Sequence, residues 1–77
     1  MLYLYKLKIS RPATPLVVVA QDLADATFIF RRVRQLTGAK VLYTVAACPE
    51  AQESGYFLGK VFHPLNVRRE KLLLLLD

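Results

Sequence analysis

The stretch Asp22–Thr37 constrains the fold most, because it carries a helical period between segments that alternate or are β-branched. Each helical residue turns the chain by about 100°. On that wheel Leu23, Ala26, Ile29, Phe30, Val33, Leu36 and Thr37 share one broad face, wide enough to lie across a sheet. Asp22 is placed to act as the N-cap, its carboxylate accepting from free N–H groups of the first turn. Asp25 adds negative charge to that turn, and Arg31, Arg32 and Arg34 bring positive charge to the second half, both as the helix dipole favours. Gly38 suits the left-handed position that ends many helices.

The flanking segments read as strands. Leu2–Ile9 alternates, with Tyr3, Tyr5, Leu7 and Ile9 on one side and Leu2, Leu4, Lys6 and Lys8 on the other. Ser10–Pro15 breaks the pattern with two prolines. Leu16–Ala20 is a short β-branched run of the kind buried on both faces, and it can close a hairpin with the first strand. A third strand is predicted over Lys40–Ala47, ended by Cys48-Pro49. A fourth is predicted over Tyr56–Phe62, with Gly59 marking a bulge or a close approach. The tail Asn66–Asp77 supports two readings: a helix capped by Asn66, or a strand formed by Leu72–Leu76 in this chain or a second copy. The expected fold is a single α+β domain over residues 1–77. It has a four-stranded, mainly antiparallel sheet with one helix on a face, in the order β-β-α-β-β, plus a C-terminal helix or strand.

Length and composition pull against each other. A chain of 77 residues buries only about 60% of its unfolded surface, yet 55% of its residues are hydrophobic. Apolar surface should be left over, and exposed apolar patches mark interfaces. A homodimer or a constitutive partner is the expected consequence. Eleven basic and six acidic residues give a net charge of +5, which favours anionic partners or simply solubility. The single cysteine, Cys48, precludes an internal disulfide and fits a reducing compartment. Met1–Ser10 lacks the apolar core of a secretory signal, and no apolar run approaches the 18 or so residues a membrane span needs. The cytoplasm is the expected location, with no membrane partner.

Little in the chain points to catalysis. Cys48 and His63 end neighbouring predicted strands, but a nucleophile–base pair also needs an orienting third group, and a structural cysteine with a loop histidine is the plainer reading. One Cys, one His and scattered carboxylates, Glu50 and Glu53 among them, make no metal-ligand spacing. Gly59-Lys60 is not part of a phosphate-binding loop, and Gly55-Tyr56-Phe57 lacks the preceding basic residue of RNA-recognition strands, Ser54 standing there instead. No enzyme activity, cofactor or metal is expected.

The feature left over is Phe28. On the wheel it projects nearly opposite the apolar stripe, beside Arg31 and Arg32. Either it is an aromatic anchor flanked by anion ligands, or the C-terminal segment or a second subunit covers it. The basic residues of the tail, Arg68, Arg69 and Lys71, can merge with this patch if the tail folds back. The expected function is therefore a small non-enzymatic binding protein that engages a protein partner through Phe28, Arg31, Arg32, Arg34, Gln35, Arg68 and Arg69. Nucleic-acid-handling machinery is one such partner, with the chain as inhibitor or accessory factor, a role that size and charge would suit in a phage or mobile element. The alternative is direct, weakly sequence-specific nucleic-acid binding.

Overall fold

A computed structural model of the chain describes residues 1–8, 16–35 and 42–76. Among these residues the elements are β1 (Tyr3–Lys8), β2 (Val17–Ala20), α1 (Leu23–Arg34), β3 (Leu42–Ala47), β4 (Gly55–Leu58), β5 (Val61–Pro64) and α2 (Val67–Leu76). The strands form one antiparallel sheet in the spatial order β3-β1-β2-β4-β5. The class is α+β, as the sequence predicts, but with five strands and two helices.

The extra strand comes from Gly59. Sequence spacing predicts one strand over Tyr56–Phe62; the structure folds that segment into a tight hairpin, with Leu58 paired to Val61. Gly59 takes φ 62° as the first of the two turn residues, and Lys60 does not share the positive φ. That is the pattern of a type II′ turn, whose twist matches the strands it joins. Gly59 therefore makes a turn rather than a bulge. Gly55 serves a different purpose, since the Phe62 ring lies over it. A methyl group there would fall 2.6 Å from Phe62 Cζ and press on the His63 carbonyl.

α1 begins as predicted. Asp22 is extended at φ −151°, and its carboxylate accepts from the Asp25 N–H at 2.9 Å. The helix ends at Arg34, with Gln35 in the left-handed conformation at φ 52°. It is shorter than the predicted Asp22–Thr37; Leu36, Thr37 and Gly38 lie outside the described residues. Ala26, Ile29 and Phe30 are fully buried and Val33 packs at the margin of the core, whereas Leu23 of the predicted stripe is 42% exposed.

The core lies between α1 and one sheet face. Tyr5 pairs with Val18 and Tyr3 with Ala20, while the Leu7 N–H donates to the Leu16 carbonyl at 3.0 Å. Tyr5, Leu7, Leu16, Val18 and Ala20 thus join Ala26, Ile29 and Phe30 in one buried cluster. β2 is central, and Val19 is buried on its other face, giving the double burial its β-branched run predicts. All four tyrosines fall on the helix side by register, with Tyr43 opposite Leu7 and Tyr56 opposite Val18. Tyr5 is buried in the core and Tyr3 and Tyr56 pack against it, whereas Tyr43 is exposed beside the Tyr5 ring, and Lys6 alternates to the opposite face.

The tail is a helix. Asn66 caps it, its side-chain oxygen accepting from the Arg69 N–H at 3.2 Å and its carbonyl accepting from the Glu70 N–H at 3.0 Å. The approach to it is pinned by a reciprocal pair. Leu65 N–H donates to the Ser54 carbonyl at 3.0 Å, and the Ser54 hydroxyl donates to the Leu65 carbonyl at 2.8 Å. Val67 is then buried, whereas Leu72 to Leu76 are all exposed. No described helix is long and apolar enough to cross a membrane.

Tyr5 and Val67 give this packing measurable consequences. Burial raises the Tyr5 pKa above its ordinary 10.0, with Asp22 adding the next largest contribution. The unfolded chain then loses the Tyr5 proton first as pH rises. Its contribution to stability is intact below pH 10.0 and is lost as pH climbs through the raised folded value. Urea unfolding at increasing alkaline pH should show a shallower stability loss in Tyr5→Phe than in the parent. Second, α2 is anchored by its first residue. Val67→Ala should cost roughly 1–3 kcal/mol in urea unfolding, whereas Leu75→Ala, at a position 82% exposed, should stay within about 0.5 kcal/mol.

Candidate functional site

α1 places Phe28, Arg31 and Arg32 on neighbouring turns, three and four residues apart, so they share one flank. α2 runs beside that flank. The Arg32 Nη2 meets Glu70 Oε2 at 3.4 Å, and Lys71 Nζ meets Asp25 Oδ1 at 3.6 Å. Lys71 Nζ also stands 5.5 Å from the centre of the Phe28 ring, within reach of a cation–π attraction. The wheel alone points Phe28 outward; the structure leaves it half-buried against the core margin, because α2 lies alongside.

Between the helices runs a groove of about 440 Å³ lined by Ala24, Thr27, Phe28, Arg31, Arg32, Lys71 and Leu74. Phe28, Ala24 and Leu74 supply apolar lining, and the three cations border it. Two of those cations are already engaged by Glu70 and Asp25. Arg31 is exposed and makes no ion pair among the described residues. Arg31 is thus the group best placed to meet an incoming carboxylate, and a guanidinium can hold one with two parallel hydrogen bonds. The bridging pairs are solvent-exposed, with the arginine side chain 52% accessible and the lysine 48%. Exposed pairs contribute little stability, so a ligand carboxylate can compete for them at low cost.

The other predicted site residues divide. Arg34 is half-buried in the last turn of α1, and Gln35 is exposed as its left-handed cap. Arg68 and Arg69 do not merge with the arginines of α1. They line a separate cleft of about 720 Å³ with Met1, Gln21, Glu53 and Leu73. Of the tail cations only Lys71 reaches the Phe28 groove. Lys71 and Leu74 are one turn apart on α2, but the sequence gives no indication of which side of that helix meets α1. Leu74 is therefore a groove residue that sequence reasoning misses.

Cys48 and His63 do not approach one another. Cys48 follows β3 at one edge of the sheet and His63 lies in β5 at the other. Four strand spacings of about 4.8 Å put them on the order of 19 Å apart across a flat sheet, far beyond nucleophile–base reach. His63 instead stacks on Tyr56, ring centres 5.1 Å apart and 15° from parallel. Among the described residues no group of three or more His, Cys, Asp or Glu could hold a metal ion. Comparison of the chain with protein-family models, with curated proteins and with solved structures found no match.

Proposed function

We propose that this chain is a non-enzymatic binding module whose α1–α2 groove receives an acidic, apolar-tipped segment of a protein partner. The observation that carries this reading is Arg31, an exposed guanidinium with no ion pair among the described residues, beside an apolar strip of Phe28 and Leu74. A segment with one large apolar side chain and a neighbouring carboxylate matches that lining in both shape and charge. The local balance favours protein over nucleic acid. Arg32 and Lys71 are offset by Glu70 and Asp25, so a bare phosphate run meets a mixed field rather than a basic track. A partner within nucleic-acid-handling machinery, with the chain as inhibitor or accessory factor in a phage or mobile element, remains compatible with its size and its charge of +5. The single free Cys48 suits a reducing compartment such as the cytoplasm.

Direct, weakly sequence-specific binding of nucleic acid is the second reading, favoured by Arg31, Arg68 and Arg69 all being exposed. The two readings separate in one experiment. The tagged chain is used for affinity capture after nuclease treatment, beside Arg31→Glu/Arg32→Glu. On the protein reading, capture survives the nuclease and falls by at least about tenfold in the double variant, the scale of a lost anchor. On the nucleic-acid reading, capture disappears with the nuclease, and binding to duplex or single-stranded DNA falls steeply with salt. Arg31 is exposed, so Arg31→Glu alone should shift thermal unfolding very little, which keeps binding loss distinct from misfolding.

A further inference from the structure

We infer that the outer edge of β3 pairs with the same edge of a second copy of this chain, antiparallel and centred on Val45. The hydrogen-bond directions fix what that edge offers. Leu7 N–H donates to Leu16 on β2, whereas Cys48 N–H donates to the Leu2 carbonyl. The odd residues of β1 therefore face β2, and its even residues face β3. With Tyr3 opposite Ala47 and Lys6 opposite Thr44, the even residues of β3 turn inward to β1. Tyr43, Val45 and Ala47 turn their N–H and C=O groups outward, and among the described residues β3 has no second neighbour in the sheet. These same residues, with Thr44 and Ala46, are all exposed.

The opposite edge of the sheet is blunt by comparison. The bond from Leu65 N–H to Ser54 sets Leu65, His63 and Val61 facing β4. Phe62 and Pro64 face outward, and Pro64 has no N–H to give. One edge thus carries three outward donors and the other, within its strand, only that of Phe62. An assembly through β3 alone is closed and two-fold rather than open-ended.

A second copy suits β3 better than an unrelated strand. A two-fold axis normal to the sheet keeps each face on its own side, so residues of equal parity must oppose each other. Centred on Val45, Tyr43 faces Ala47 of the second copy, a large side chain against a small one, and Val45 faces its own copy. All three pairs are of the hydrogen-bonded kind, giving about six new backbone bonds. Self-pairing sets any charged side chain near its like, and Leu42–Ala47 contains none. Val45, 55% exposed, and Tyr43, 37% exposed, gain apolar cover on the helix side.

Sedimentation velocity on the full chain tests this, beside Val45→Lys and Val45→Pro. The parent should sediment as a dimer at micromolar concentration. Val45→Lys sets two cations against each other, and Val45→Pro removes an outward N–H without touching a bond to β1. Each should weaken association by at least about tenfold while circular dichroism stays that of the parent. Should the proline variant not fold, Val45→Cys in a Cys48→Ser background replaces it. Hydrogen-bonded partners stand with Cα atoms about 5.5 Å apart, within disulfide range, so mild oxidation should link the chains, and Thr44→Cys in the same background should link them far less. A parent that is monomeric throughout overturns the inference. So does a dimer that survives Val45→Lys but dissociates in Leu75→Lys, which would assign association to the leucines of α2.

Discussion

The burial of β2 beneath α1 is the constraint on which the rest depends. β2 is four residues long, yet it bonds to β1 on one side and β4 on the other. Val18 and Ala20 are sealed under Ile29 and Phe30, and Val19 is sealed on the reverse face. Only Gln21 and Asp22 separate β2 from α1. The Asp22 cap therefore sets the direction of the helix as it leaves the sheet, and a capping side chain of this kind is worth about 1 kcal/mol. With the helix direction set, Ala26, Ile29 and Phe30 face the sheet, and Phe28, Arg31 and Arg32 can only lie on the flank and outside.

α2 converts that flank into a groove, and it does so with few strong contacts. Its buried anchor is Val67, and beyond it the ties to α1 are two solvent-exposed ion pairs and the approach of Lys71 to Phe28. Interactions of that kind are weak and salt-sensitive. The first turn of α2 is thus held by burial, and the polar ties of the rest to α1 are exposed. On the proposed function, a ligand bringing its own carboxylate and an apolar group would replace these ties with contacts of the same type.

How much of this was legible in the sequence follows from which forces are local. The α1 start, its buried triad and the two-faced burial of β2 are readable because capping and periodicity act over a few residues. The hairpin at Gly59 is not legible in the sequence, since a short apolar segment with one glycine fits a bulged strand as well as two short strands, and the φ of 62° separates them. The tail is ambiguous in sequence because five leucines in a row have no period. Asn66 and the Ser54–Leu65 pair decide for a helix, and that pair joins residues eleven apart in sequence. The partial cover of Phe28 and the divergence of Arg68 and Arg69 from Arg31 are consequences of how α2 lies on α1, which no local pattern encodes.

The apolar excess of the chain has a definite distribution. Exposed large apolar side chains gather on β3, at the β4–β5 turn with Leu58 and Val61, and along α2. Among the described residues, only β3 combines such side chains with a row of backbone groups turned toward solvent. Unpaired strand edges invite pairing far more strongly than scattered leucines do. If β3 meets its own copy about a two-fold axis normal to the sheet, the helix-bearing faces of both chains stay on the same side. Both α1–α2 grooves then open on that side. A partner with two acidic segments, or a repeating one, could be held at both, and the second contact would form at the high effective concentration that linkage confers. On that geometry the proposed groove would gain avidity from the proposed sheet-edge pairing.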